Sequence, residues 1–509
     1  MCNGATSRTT ISPGATNLHQ RTETRGDGAT RVFNYDDVLG LTSWTDFKNQ
    51  PSSCSYPSPL PRWQFTDARG NTTTYEQESE ITAVKKIIHP GDNSTIEFTF
   101  SDQNTPYDPH YITGRKDENN NWTTYDRDPV YHRITQTHYP DGSTEQFTYN
   151  NFGQVLTHKL RSDGTETFTY DTRGLKTTSY PSSTNSDPDP WNHPTLYYYY
   201  TSGPNTDRLY MVIDPRNNAT AYEYNQRGQV TKVQHQDGTY AQSGYYPDGT
   251  LAWTADENHP NAGITGHENE RTRYIYDEYK RVLTVTNPMG ETTTNSYAID
   301  PQWANPLQHT TNSVKYTVSP MNKNVVFDYD ANFRKIDQTV AAGTSEAATT
   351  YFECDAVGNL TKTTDPRGNV TNVGYNERNR KVWMDDPIAS DRNSTGHTMN
   401  WEYDGVGNKL KETRADDAFR SWDYDVPNRI THAIDWRMSV AEPAITTTYT
   451  RDLPNPQNMA IEHTFDAKGA EYKFEFDALH RKISETYPPA FGNPTPNEHF
   501  WYDAAGNLV

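Results

Sequence analysis

Phe352-Glu353-Cys354-Asp355-Ala356-Val357-Gly358-Asn359-Leu360-Thr361-Lys362-Thr363-Thr364-Asp365-Pro366-Arg367-Gly368-Asn369 holds, in one short stretch, the unit from which most of the chain is assembled. Positions 352 and 354 are two apart, so they point to one face of a strand while Glu353 points to the other. Asp355 can close an Asx-turn on its own backbone and Gly358 tolerates positive φ, so the strand ends there. Leu360 opens a return strand, and Asp365-Pro366-Arg367-Gly368 supplies the chemistry of a second turn. Cys354 stands where a second aromatic would stand, and we read it as a small buried hydrophobe and not as a nucleophile or ligand.

Working outward, the same unit recurs. Aromatic pairs two residues apart occur at Phe33/Tyr35, Phe98/Phe100, Phe147/Tyr149, Phe168/Tyr170, Tyr222/Tyr224, Tyr274/Tyr276, Phe327/Tyr329, Trp401/Tyr403, Trp422/Tyr424, Phe474/Phe476 and Phe500/Tyr502. A turn residue follows four positions later: Gly153, Gly174, Gly228, Gly407 and Gly506, with Asn428 and His480 in equivalent places. An aliphatic returns six or seven positions after the ring, as Val155, Val230, Val282, Leu410, Ile430, Ile483 and Leu508. Second turns follow at Asp141-Gly142, Asp163-Gly164, Asp237-Gly238 and Asp214-Pro215-Arg216-Asn217, and Asp-Gly between strand runs is a strong hairpin signal. Tyr149 to Tyr170, Tyr224 to Tyr245 and Tyr403 to Tyr424 are each separated by 21 residues, enough for two strands and two turns. One hairpin is marginal alone in water, so neighbours must pair side by side to bury the aromatic face.

Composition agrees with an aromatic core in a polar chain. Of 509 residues only 32% are hydrophobic and the formal net charge is -20, a balance that leans toward disorder, but 35 Tyr, 17 Phe and 11 Trp argue for packing. Each ring buries roughly 150–250 Å², which offsets a sparse aliphatic content. The acidic balance and the absence of a basic block argue against nucleic acid as a partner. Cys2, Cys54 and Cys354 are too far apart for a disulfide framework or a CxxC motif. Met1 to Gln20 has no apolar signal region, and no stretch is long and apolar enough to span a membrane as a helix. We expect residues 1–30 to be a loose leader and 31–509 one continuous array, truncated within its last repeat at Val509. Long loops are expected at Ser182–His193, Asp300–Pro306, Pro387–Gly396 and Ser439–Gln457, each rich in Pro, Asn, Asp or Ser.

The assembled pattern, Tyr-Asp-x-x-Gly-Asn followed by Asp-Pro-Arg-Gly-Asn, resembles the Rhs/YD-repeat family. Thr66-Asp67-Ala68-Arg69-Gly70-Asn71-Thr72-Thr73-Thr74-Tyr75, Asp355 to Lys362 and Tyr502-Asp503-Ala504-Ala505-Gly506-Asn507-Leu508 are close matches, and the pattern covers nearly all of the chain after the leader. The family includes bacterial polymorphic toxins, the cocoon component of insecticidal toxin complexes, and the barrel of teneurins. The resemblance implies an all-β fold, a repetitive antiparallel β-hairpin ribbon curling into a spiral, and a role as a shell that encloses or presents a C-terminal effector. The partner implied is that effector segment or the remainder of the same shell, after export to the cell surface or beyond. The family's closing core segment and variable toxic domain are not recognisable here, so the shell implied is open or partial.

No catalytic constellation stands out. There is no HExxH, no phosphate-cradling glycine loop and no GxSxG elbow, and most Asp sit at turns. We therefore expect no enzyme activity, no cofactor and no metal. Exposed rings are the more serious functional candidate: Trp63, Trp122, Trp191 and Trp303 fall outside the regular pairs, in loops or beside Asn and Pro, where they could stack on sugars. The plainer reading is that they fill gaps under loops. A carbohydrate-binding or adhesion module is accordingly the alternative function, and the structural roles fall to Tyr149, Tyr170, Tyr224, Tyr276, Tyr329, Tyr403, Tyr424 and Tyr502, with turns at Gly153, Gly174, Gly228, Gly358, Gly407 and Gly506.

Overall fold

Strand follows strand through antiparallel pairing. The computed structural model describes residues 10–13, 18–24, 30–36, 40–46, 48–56, 62–78, 83–101, 111–161, 164–180, 194–297, 314–320, 324–387, 392–393, 395–437, 446–452, 460–466, 468–476, 481–489, 497–502 and 508. Among these residues there are 41 strands, and the single helical element is the 3-10 turn Glu268–Glu270. The chain divides into two compact units, one of Met1–Thr95 with Gln242–Asn400, the other of Ile96–Ala241 with Trp401–Val509. Each unit is thus made of an early and a late piece of the ribbon.

The repeat behaves as its residues dictate. Thr144–Tyr149 pairs with Val155–Lys159, which pairs with Thr165–Tyr170, which pairs with Lys176–Tyr180. The first kind of hairpin carries an irregularity beside its second aromatic: the register shifts between Thr148 and Tyr149, Thr169 and Tyr170, Glu223 and Tyr224, Ile275 and Tyr276, and Asp328 and Tyr329. The hairpins closed by the Asp turns, such as Val155–Lys159 with Thr165–Tyr170, pair without a shift. A bulge bends its strand and raises the local twist, so repeating it beside the second aromatic bends these hairpins in the same sense; Phe419–Tyr424 carries a further shift at its other end.

The two faces differ. Along Thr144–Tyr149 the side chains of Gln146 and Thr148 are exposed while Phe147 and Tyr149 are partly covered, the alternation expected of a half-buried strand. Few side chains are fully enclosed; Tyr297, at 8% exposure, is the largest apolar one among the described residues. The opposite face has its own device: Gly244 opposes Trp253 and Gly374 opposes Trp383, and a Cβ on either glycine would meet the indole at 2.0 and 1.9 Å. The ring covers the backbone that glycine leaves bare.

Two expectations need correcting. The segment expected as a loose leader contains the strands Thr10–Pro13 and Leu18–Thr24, which pair with each other, and Leu18–Thr24 then pairs with Thr30–Asp36. The loop expected at Ser439–Gln457 contains the strand Thr446–Asp452, paired to Ile430–Arg437 and Ala460–Phe465. In both places threonine, a β-branched residue with high strand propensity, outweighs the loop-like composition around it. Residues 181–193 and 298–313, which hold the loops expected at Ser182–His193 and Asp300–Pro306, lie outside the described residues.

Candidate functional site

The aromatic face is organised by tyrosine hydroxyls. Tyr149 donates to the carbonyl of Ile134 at 2.6 Å, Tyr170 to Val155 at 2.9 Å, Tyr199 to Lys176 at 2.9 Å and Tyr224 to Leu209 at 2.9 Å. The accepting residue is the one that opposes the preceding repeat's bulged position: Val155 opposes Tyr149, Lys176 opposes Tyr170, and Leu209 opposes Tyr199. The bulge interrupts the ladder there, and a half-buried phenol needs an acceptor, so one bond serves both groups. Repeats carrying this tyrosine are latched to the one before. Tyr297 to Val282, Tyr329 to Val314, Tyr375 to Leu360, Tyr424 to Lys409 and Tyr502 to Lys482 repeat the bond. Burial pushes the phenols of Tyr149, Tyr170, Tyr224, Tyr276, Tyr329 and Tyr424 above their ordinary range. Tyr276 meets Tyr246 edge to face at 6.3 Å, and Tyr403 ends the strand Met399–Tyr403.

Sequence reasoning missed three latch residues, Tyr199, Tyr297 and Tyr375. For Tyr297 and Tyr375 the signal is a tyrosine 15 residues after the acceptor. It also missed the lysines. Val155, Val230, Val282, Leu360 and Ile430 do oppose the bulged position as an opening aliphatic should. In other repeats that position, six after the second aromatic, is lysine, and its ammonium lies near two successive rings: Lys176 at 5.5 Å from Phe168 and 4.7 Å from Tyr197, Lys335 at 5.5 Å from Phe327 and 5.0 Å from Phe352, Lys409 at 5.9 Å from Trp401 and 5.6 Å from Trp422, and Lys482 at 5.7 Å from Phe474 and 4.5 Å from Phe500. Cation–π attraction lets a lysine replace a valine between rings. Leu410, the aliphatic expected in one such repeat, is 36% exposed instead.

The turns carry the second set of predicted residues. Gly153, Gly174, Gly228, Gly358 and Gly407 have φ of 83°, 82°, 78°, 104° and 107°, which L-residues with a Cβ resist. In front of each glycine an Asp or Asn holds the loop closed: Asp171 Oδ1 accepts the N–H groups of Arg173 and Leu175, both at 2.9 Å, and the Gly174 N–H meets the Asp171 carbonyl at 3.0 Å. Such bonds favour the charged form. Asp128 is held at about 2, chiefly by the Tyr131 N–H and then by Arg133. Gly506 lies outside the described residues. Cys354 opposes Leu360 at a bulge, and burial pushes its thiol up.

Within each unit the Asp turns of the early piece meet the tyrosine-side turns of the late piece, forming a seam. In the first unit Arg69 donates to the Asn376 carbonyl at 2.8 Å and to Asn379 Oδ1 at 2.7 Å and lies 3.5 Å from Asp355, Lys48 lies 3.5 Å from Asp330, and Asn332 bonds Asp46. In the second unit Asn119 donates to Asp404 at 2.9 Å and Asn121 to the Val426 carbonyl at 3.1 Å. The chain separations agree: 286 residues between Asn332 and Asp46, 285 between Asn119 and Asp404. A cleft of about 640 Å³ opens along the first unit's seam, walled by Phe65, Asp46, Asp67, His89, Val357 and Glu377. Asp46 Oδ1 accepts from the N–H groups of Lys48 and Gln50, and Asp67 Oδ1 from those of Arg69 and Asn71, so these carboxylates are committed to shaping their turns. Among the described residues no group of three His, Cys, Asp or Glu is placed to hold a metal ion, and no helix is long and apolar enough to cross a membrane.

The tryptophans expected in loops divide. Trp63 lies in the strand Arg62–Thr66 and stacks on Tyr75, its cross-strand partner, at 3.9 Å and 7°. Trp122 opens the strand Trp122–Arg127, lies over Gly114 and is 38% exposed. Trp63 is thus a strand residue explained by cross-strand packing and not a loop ring, while Trp122, beside Asn121, keeps an open ring. Trp191 and Trp303 lie outside the described residues.

No family model matches the chain, and no curated protein matches it in sequence. Solved structures do. The structure described as TcdB2-TccC3 without its hypervariable C-terminal region superposes with a TM-score of 0.60 at 14% identity, over 99% of this chain and 26% of that one. The complex TcdB2-TccC3-Cdc42 gives 0.61 at 14% identity with the same coverage. The chain spans about a quarter of the length of these neighbours, and at this identity the likeness shows the fold.

Proposed function

We propose that this chain, an Rhs/YD-type repeat ribbon by its motifs and fold, serves as a non-enzymatic wall, a shell segment of a toxin-like protein that encloses or presents an effector polypeptide not contained in these residues. The observation that carries this reading is the double closure of the ribbon: tyrosine latches join many of the repeats to the one before, and side-chain bonds join edge to edge along the seams. Such a wall separates a polypeptide on one side from solvent and proteases on the other. The setting that fits is extracellular or cell-surface, after export.

Limited proteolysis tests it. A polypeptide encoded directly downstream and co-expressed with this chain in its natural reading frame should be degraded at least about tenfold more slowly than the same polypeptide free. Equal rates would sink the proposal. The alternative, a carbohydrate-binding module, draws on Trp122, whose ring remains 38% exposed. Glycan-array binding that is lost in Trp122→Ala would favour it, since stacking on a sugar needs that open ring.

A further inference from the structure

The cleft along the first unit's seam is lined by two kinds of polar side chain. One kind is spent on the protein. Asp46 accepts from the Lys48 and Gln50 N–H groups and from Asn332, Asp67 accepts from the Arg69 and Asn71 N–H groups, and Asn379 Oδ1 accepts from Arg69 and Asn359. Arg378 is bound to Asp92 at 3.2 Å and to Ser94 at 2.8 Å. The other kind is not spent. The side chains of Gln50, Ser52, Thr73 and Glu377 line the same cleft and make no hydrogen bond or ion pair among the described residues. Neither the turns nor the seam accounts for them.

The sheet gathers these groups about one ring. Cys54 opposes Phe65 and Phe65 opposes Thr73, so Ser52, two residues before Cys54, shares a face with Phe65 and Thr73. Phe65 itself lies nearly parallel to Trp44, with centroids 5.6 Å apart and planes at 9°. Glu377 comes from the late piece and packs over Gly91 of the early one, where an added Cβ would meet its Oε2 at 2.6 Å. The late piece thus supplies a carboxylate to a cleft whose hydroxyls, free amide and ring come from the early piece.

That lining selects its ligand. Asp46, Asp67 and Glu377 repel an anion, and the guanidinium of Arg378, which could offset them, is bound to Asp92. A purely apolar ligand would strip water from Gln50, Ser52 and Thr73 without replacing it, at a cost of about 1–3 kcal/mol for each group left unpaired. An uncharged polyol ring meets every demand, because its C–H face can lie on a phenyl ring while its vicinal hydroxyls bond hydroxyl, amide and carboxylate at once. The volume of about 640 Å³ falls within the roughly 300–1,000 Å³ of small-ligand sites. We infer that this cleft is a binding site for a neutral mono- or disaccharide. The sugar donates to Glu377, exchanges hydrogen bonds with Gln50, Ser52 and Thr73, and stacks on Phe65. Since those groups belong to both pieces of the ribbon, the bound sugar clamps the first unit's seam. The site is separate from Trp122, which lies in the second unit, and it rests on neither that ring nor the wall reading.

Isothermal titration of the whole chain with maltose, cellobiose, lactose and N,N′-diacetylchitobiose tests this. At least one should bind once per chain with a Kd of about 1 mM or tighter, and the same sugar should slow hydrogen exchange at Asn376–Arg380 as the seam is clamped. Glu377→Ala should weaken binding about tenfold through loss of a charge-assisted acceptor, and Thr73→Val about fivefold through loss of a neutral bond. Unaltered circular dichroism of both variants establishes that the fold is intact. Trp122→Ala should leave binding as it was. No heat and no exchange protection with any of these sugars at about 20 mM, binding indifferent to Glu377→Ala, or binding abolished by Trp122→Ala would each overturn the inference. The last of these would favour the Trp122 module instead, and protease protection is measured separately, so this site can fail while the wall reading stands.

Discussion

The two units solve the same edge-to-edge problem with different chemistry. The first unit's seam is ionic: Arg69 against Asp355, Lys48 against Asp330, and Arg378 and Arg380 against Asp92 at 3.2 and 3.3 Å. The second unit's seam is mostly amide, Asn119 to Asp404 and Asn121 to a carbonyl, with Arg429 3.8 Å from Asp141 as its ion pair. The difference teaches that the geometry of the repeat fixes where the edges meet, while the side chains the facing turns present, Arg and Lys in one unit and mostly Asn in the other, set the strength and salt response of the meeting.

The contrast can be broken most forcefully at Arg69. Arg69→Ala removes two hydrogen bonds and an ion pair from a mostly covered side chain and should cost about 2 kcal/mol locally, read as faster hydrogen exchange at Asn376–Arg380 with Asp404–Asn408 unaffected. If both units loosen together, the seams are not independent. Gly358→Ala and Gly407→Ala probe what the seams share. Each should cost about 1–2 kcal/mol, and by the same amount, because the left-handed backbone is common to both turns; unequal melting shifts would show that the neighbouring chemistry reaches into the turn. Asn119→Ala, on the amide seam, should cost about 1 kcal/mol, half the Arg69 effect, by exchange at Asp404–Asn408.

Acid should separate the two more gently. Burial pushes Asp92 up, but bonds from Ser94 and the nearby Arg378 more than offset it and hold the carboxyl below its ordinary value. A lowered folded value means the contribution of this pair is present above about pH 4 and is lost as pH falls through the folded value. Exchange at Arg378–Arg380 should therefore quicken on acidification while the Val426 turn, held by an amide, lags. Salt should give the smallest effect: raising it to about 0.5 M should loosen the ionic seam by a few tenths of a kcal/mol and leave the Asn121 bond as it was.

Much of this was legible in the residues. Rings two apart, an Asx, a glycine four on and an Asp turn describe local geometry, and local geometry is what spacing encodes. The lysines at 176, 335, 409 and 482 were not legible as core residues, because a charge is read as solvent-facing unless the rings on either side are known. The seam was hidden for another reason. Asp46 and Asn332 are 286 residues apart, and no local pattern says which turns will meet at that distance. Trp63 was misplaced because a tryptophan outside the pairs looks like a loop residue until its cross-strand partner, Tyr75, is seen.

The latch has a bearing on how such a chain can change in length. Tyr170 finds its carbonyl 15 residues back, Tyr502 finds one 20 back, and Tyr199 finds one 23 back, yet the last two bonds measure 2.8 and 2.9 Å. The extra residues stand between the acceptor's strand and the tyrosine's, where the sequence of other repeats has its Asp turn, and the ring keeps its acceptor. Foreign loops can therefore be grafted at that point of the repeat, while the opposite turn, clamped by glycine and aspartate, keeps time for the ribbon.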